Sequence, residues 1–187
     1  AKGLTVVAGT QRRHQLERLP VVAAHRQGLF GKIRGGRVGF CIGKIFSNDP
    51  IRPKTPDDLL AAGKWQLWVE MSGDIIVEQH IHNIDVANWY IGTHPEAAVG
   101  FCGRARRKAG NICDYFSTDF EYPGGVHIHS MARQIPGCWF WIGEEFSTDK
   151  TPADGELPAI DDVVPADLPR AEKMQVQEHV DMLYNLL

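Results

Sequence analysis

No apolar run in the 187-residue sequence approaches the roughly 20 residues that cross a bilayer, so a membrane-spanning helix is not expected. No signal-peptide pattern opens the chain, and the cysteine usage is the ground on which a cytoplasmic setting is expected. Charge of neither sign dominates. Twenty basic against 23 acidic residues give a formal charge of -3, which supplies no broad field for nucleic acid or an anionic membrane. The basic run of Arg104, Arg106, Arg107 and Lys108, held between Gly103 and Gly110, reads as a solvated strand end or turn. The four cysteines, Cys41, Cys102, Cys113 and Cys138, form no C-x-x-C pair and lie in or beside apolar, strand-like runs. Buried, reduced thiols are expected, and a zinc site is not. A strand followed by G-x-G-x-x-G is missing too. Gly31-Lys32-Ile33-Arg34-Gly35-Gly36 matches neither that fingerprint nor a P-loop, so the chain brings no dinucleotide-binding motif of its own.

What is present is the composition of an ordinary globular protein, 43% hydrophobic and 23% charged, at a length suited to one domain over residues 1–187. Gly3 to Gly9 reads as a buried strand, and Arg12 to Gln27 as a helix that Pro20 kinks or bounds and Gly28 stops. Gly31 to Ile45 predicts a long strand whose glycines suggest a bulge or an edge. A Pro-punctuated loop over Asn48 to Pro56 follows, then the turn Ser72-Gly73-Asp74 and a helix closed by Gly92 and Pro95. Beyond Pro95 come four strand-length runs: Ala97 to Arg106, Ile112 to Tyr122, Val126 to Arg133 and Cys138 to Phe146. Turns at Tyr122-Pro123-Gly124-Gly125 and Pro136-Gly137 predict an antiparallel meander. Ser147 to Pro169 reads as a long loop and Ala171 to Leu187 as a helix. The order predicts an α+β fold, a large, mostly antiparallel open sheet with helices on one face.

The chemistry concentrates in Glu78 to Trp89. At about 100° per residue, one helix over this stretch puts Glu78, His82, Asp85 and Trp89 on one side. Ile76, Ile84, Ala87 and Ile91 then form the buried stripe, with Val77 and Ile81 on its flank. Carboxylate, imidazole and carboxylate one turn apart are what proton transfer needs, since a neighbouring carboxylate sets the tautomer and basicity of the histidine. The same residues would equally make a solvated helix face. His80 points to the apolar side as a core histidine, Asp74 suits an N-cap, and Trp89 suits packing or substrate stacking. Arg12 and Arg13 open a helix after a strand, where they could meet a cofactor phosphate or only solvent. His127 and His129 share a strand face without a nearby carboxylate on that strand, which is a weak metal signal, and no metal is expected.

Ser72-Gly73-Asp74, Glu78-Gln79-His80-Ile81-His82 and Asp85-Val86-Ala87-Asn88-Trp89 together resemble the second domain of the glucose–fructose oxidoreductase / inositol dehydrogenase (Gfo/Idh/MocA) family. Gly9 to His14, Gly28 to Ile33, Tyr122 to Val126, Ser130 to Gln134 and Gln177-Glu178-His179 follow in family order. The resemblance carries the family's D-x-x-x-H pair onto Glu78 and His82, with Glu standing for Asp. It implies a catalytic group of Glu78, His82 and Asp85, substrate contacts from Arg133, Gln134 and Trp89, and NAD or NADP bound mainly by an N-terminal domain absent from this chain. The family's E-K-P lysine has no counterpart here. The implied reaction is hydride transfer at a carbinol carbon of a sugar or polyol, in a homo-oligomer joined through the open sheet face. Two other readings stay open: a stand-alone oligomerisation or binding module, inactive alone, and a metal-dependent hydrolase or isomerase using Glu78, His82, His127 and His129.

Overall fold

The computed structural model describes residues 3–5, 9–43, 65–150 and 159–184. The glycine-rich run after Gly31 forms β1 (Ile33–Ile42). The runs after Pro95 form β2 (Ala97–Gly103), β3 (Tyr115–Tyr122), β4 (Val126–Gln134) and β5 (Trp141–Thr148). These make one sheet in the order β2-β3-β4-β1-β5. All neighbours are antiparallel except β1 and β4, which run parallel with Val38 opposite Ser130. The α+β expectation holds, with two corrections. The meander stops at β4, because β1 sits between β4 and β5 and takes both as partners. Nor is β1 an edge strand. Its glycines mark a register shift between Ile33 and Gly35 and close approaches: a Cβ on Gly39 would meet the Trp141 ring.

The helical elements are a 3-10 turn at Gln11–His14, α1 (Leu19–Arg26), a 3-10 turn at Trp65–Leu67, α2 (Val69–Ser72), α3 (Ile75–Glu78), α4 (Ile81–Ile91), α5 (Ile160–Val163) and α6 (Arg170–Tyr184). Pro20 marks a boundary, since α1 begins beside it and the preceding segment is only a 3-10 turn. α5 interrupts the stretch expected as a loop. Residues 3–5 and 9 carry no strand, and the rest of that expected element, like the Asn48 to Pro56 loop, lies outside the described residues.

Strand alternation decides where the core sits. Along β4, Val126, Ile128, Ser130, Ala132 and Gln134 are buried, and the residues between them face the other way. The buried face packs Ile128 and Phe146 against Val86 and Tyr90 of α4, Val21 of α1, and Val180 and Leu183 of α6. Burying each such side chain contributes about 1.5–3 kcal/mol, which fixes α4 across the sheet. The opposite face leaves Val99 68% and Phe101 77% exposed.

Candidate active site

The helix expected over Glu78 to Trp89 is two helices. Asp74, at φ +72°, accepts the Ile75 N–H at 2.7 Å and the Cys113 N–H at 2.9 Å, so it caps α3 as expected. α3 ends at Glu78, and the His80 N–H reaches back five residues to Ile75 O at 2.9 Å. Two polar contacts, one of them buried, meet the chain at this point. Gln134 Nε2 donates to Gln79 Oε1 at 2.8 Å, and His80 Nε2 and Ser130 Oγ share a 2.5 Å hydrogen bond. The break removes the one-turn relation between Glu78 and His82, and no hydrogen bond joins them among the described residues. Burial alone raises the Glu78 carboxyl. The expected apolar stripe shifts as well: Val77 and Ile81 are exposed, whereas Asn83, Val86 and Tyr90 are buried.

Asp85 is the carboxylate that acts on His82. Arg13 holds it bidentately, Nε to Oδ2 at 2.8 Å and Nη2 to Oδ1 at 2.7 Å. Burial would raise the Asp85 carboxyl, but hydrogen bonds from Arg13 and Thr10 outweigh it and hold the group below the ordinary carboxylate range. His82 is half-buried. Burial, then the Arg12 charge, lower its pKa against the pull of Asp85, so the imidazole is neutral near pH 7 and able to accept a proton. His82 Nδ1 is enclosed without a partner among the described residues.

Behind this pair lies a buried charge cluster. Glu144 has no exposed surface and accepts from Arg12 Nη1, from Arg18 Nη1 at 3.0 Å and from Asn83 Nδ2 at 2.7 Å. His80, also without exposed surface, is pushed down to about 4 by burial first and by Arg12 second, and stays neutral. Glu144, Asn83 and Ser130 are the residues that sequence reasoning missed. A signal existed for two of them. Glu144 alternates with Ile142 and Phe146, and Ser130 with Ile128 and Ala132, so each puts a polar group on an apolar face.

Residues 22–135 match the GFO/IDH/MocA C-terminal domain. The chain belongs to the Gfo/Idh/MocA family. Solved structures share its fold. Against a super-repressor mutant of Gal80p from Saccharomyces cerevisiae, the TM-score is 0.61 at 13% identity over 79% of this chain and 40% of that one. Against levoglucosan dehydrogenase, solved with NADH and levoglucosan, it is 0.59 at 14% identity over 92% and 54%. Against aldose-aldose oxidoreductase from Caulobacter crescentus, solved with glycerol, it is 0.59 at 14% identity over 96% and 53%. The chain therefore spans about half the length of these relatives. No match was found among curated proteins.

In this Gfo/Idh/MocA domain the expected site residues divide between the two faces of the sheet. Gln134 faces the helices and reaches the α3–α4 junction through Gln79. Its neighbour Arg133 faces the open side, where it donates to Trp139 O and lies 4.9 Å from that ring, so it is not brought to His82. Trp89 is packed in the core, with the Arg13 guanidinium 5.7 Å from its ring centroid, which leaves it packing rather than substrate stacking. Arg12 and Arg13 both pair their guanidiniums with carboxylates, Glu144 and Asp85. His127 and His129 lie on the open face and both hold Asp119, at 2.7 Å each. The sheet separates them from His82, so the four-residue metal site weighed above cannot assemble. A cavity of about 810 Å³ lies at the Gly92 end of α4, and one of about 290 Å³ on the open face. Glu78 and His82 line neither.

Proposed function

We propose that this domain is the substrate-binding and catalytic half of an NAD(P)-dependent sugar or polyol oxidoreductase, completed by a dinucleotide-binding domain outside this sequence. The observation that carries the reading is His82: a neutral, half-buried imidazole beside a carboxylate that Arg13 keeps ionised. Bound NAD(P) would supply the hydride acceptor. This chain supplies the proton acceptor. With Nδ1 enclosed, exchange with a substrate hydroxyl falls to Nε2 on the other edge of the ring. Asp85 stabilises the imidazolium that results, and Arg13 fixes the position of Asp85. His82 lines neither of the two cavities described above, which suits a site whose second wall is the nucleotide-binding domain. Glu78, raised by burial, is a further acid beside the junction but not the partner of His82.

His82→Asn in the full-length protein tests the reading. Sugar- or polyol-dependent reduction of NAD(P) falls about 10²–10⁴-fold, as for loss of a general base, while the thermal midpoint stays put. Unchanged turnover in that variant removes His82 from catalysis. A second reading, an assembly module without activity of its own, draws on the open face, where Val99, Phe101, Trp139 and Phe140 are exposed. An oligomer that dissociates on Phe101→Asp, in a protein reducing no NAD(P) with any of a panel of sugars and cyclitols, would favour it.

A further inference from the structure

We propose that the cavity at the Gly92 end of α4 is a second ligand site, built to hold a small phosphate ester. Outside the candidate active site, charged side chains gather here. The cysteines make no such cluster, and only Cys41 is buried, contrary to expectation. At about 810 Å³ the cavity has the size of a small-molecule site, for which roughly 300–1,000 Å³ is usual. It is also remote from His82. That residue is the second of α4 and Gly92 follows the last, a separation of about 15 Å along the helix at 1.5 Å per residue.

The rim is cationic. Arg26 ends α1, Lys32 and Arg34 stand where β1 begins, and Lys150 follows β5, and all four are exposed on the cavity wall. Asp149 is the one carboxylate among the described lining residues, and Arg34 already holds it, Nη2 to Oδ2 at 2.7 Å. Lys150 Nζ donates to Gly28 O at 2.6 Å, a neutral partner that leaves the ammonium charge unbalanced. The side chains of Arg26 and Lys32 make no hydrogen bond or ion pair among the described residues. Three positive charges therefore stand unmatched round one hollow, in a chain whose formal charge is -3. A phosphate ester carries close to two negative charges near neutral pH where a carboxylate carries one, and a guanidinium fork beside an ammonium suits its oxygens.

The base is apolar. Ile33, Tyr90 and Val126 are buried side chains that line it, and the His25 ring lies 5.9 Å from that of Tyr90. Gly28, Gly92 and Gly124 bring no side chains to the wall, and a Cβ at any of them would meet nothing within 4 Å, so these three loops leave the hollow open. A charged rim over an apolar base selects an anion carried on an organic body over the free ion. A polymer such as nucleic acid would need the cations spread along a face. The shared group is the phosphate; its body is a sugar or a nucleoside.

Isothermal titration calorimetry on the full-length protein tests the site, with NADH at saturation to fill any dinucleotide site. Inorganic phosphate, glucose 6-phosphate and AMP are the probes. Saturable one-to-one binding of at least one ester is expected, tighter than that of inorganic phosphate, and the ester that binds identifies the body. Arg26→Gln combined with Lys32→Gln should weaken it at least about tenfold, since two charged contacts are lost. Lys108→Gln combined with Arg170→Gln removes the same charge from exposed positions off the cavity and should leave binding unchanged, as should His82→Asn. The readout is heat and not turnover, so the result stands whether or not His82 is catalytic. No saturable binding of either ester, inorganic phosphate bound as tightly as the esters, equal weakening in the two charge pairs, or loss of binding in His82→Asn would each overturn the proposal.

Discussion

Glu144→Ala is the most demanding perturbation that the structure offers. The carboxylate has no exposed surface and is the shared acceptor for Arg12, Arg18 and Asn83. Both guanidiniums are themselves nearly enclosed, with side chains 12% and 10% exposed. Truncation therefore leaves two cations buried beside each other and unpaired. Removing one partner of a buried ion pair costs about 3–5 kcal/mol. Against a typical total of about 5–15 kcal/mol, that is a large share of the fold's stability. At about 2–4 °C per kcal/mol for a chain of this size, the transition of this domain falls by roughly 6–20 °C. Glu144→Gln keeps an acceptor but loses the charge, and should cost about 2–3 kcal/mol. Asp161→Asn is the internal control: Asp161 pairs with Lys173 but is 74% exposed, and an exposed pair contributes about 0–1 kcal/mol. Urea unfolding of the three variants at pH 7.5, followed by tryptophan fluorescence, gives the comparison. A Glu144→Ala midpoint within error of that of Asp161→Asn would refute the claim that a buried charge cluster organises this end of the domain.

Acid should weaken the fold in a defined window. His80 and His179 are held neutral by burial, at about 4 and about 3, below the unfolded value near 6.5. A depressed folded pKa gives stability that is present above pH 6.5 and lost as pH falls toward those values, so moving from pH 7.5 to 5 should cost about 2 kcal/mol per histidine. Urea midpoints across that range measure it, and a flat profile would contradict the burial of both rings. Gly110→Ala should destabilise by roughly 2–4 kcal/mol, because the residue sits at φ +71° and a Cβ would fall 2.0 Å from Leu67 O. A thermal midpoint equal to the parent's would mean that this loop does not pack on Leu67.

The parts of the fold that local chemistry encodes were legible in the sequence. Tyr122-Pro123-Gly124-Gly125 marks the β3–β4 turn, Gly92 stops α4 at φ +86°, and Asp74 caps α3. The parts written in distant pairings were not. Nothing local says that β1 parts β4 from β5, or that Glu144 closes on arginines at the other end of the chain. The helix break at Gln79 and His80 escaped because its cause, the polar contacts to Gln134 and Ser130, lies on another strand. The spacing of His82 and Asp85 can be read from the sequence, but the ion pair that ties Asp85 to Arg13 required the fold.

The seat of β1 has a consequence for how the molecule is assembled. β2, β3 and β4 can zip up as each emerges, since every partner is the next strand along. β5 cannot finish the sheet in that way: among the described residues its one neighbour is β1, a strand made long before it, and β1 must also dock beside β4. Such sequence-distant closure is slow. Until it happens, one edge of β4 stands unpaired, and a chain arrested there would be prone to stick to others of its kind.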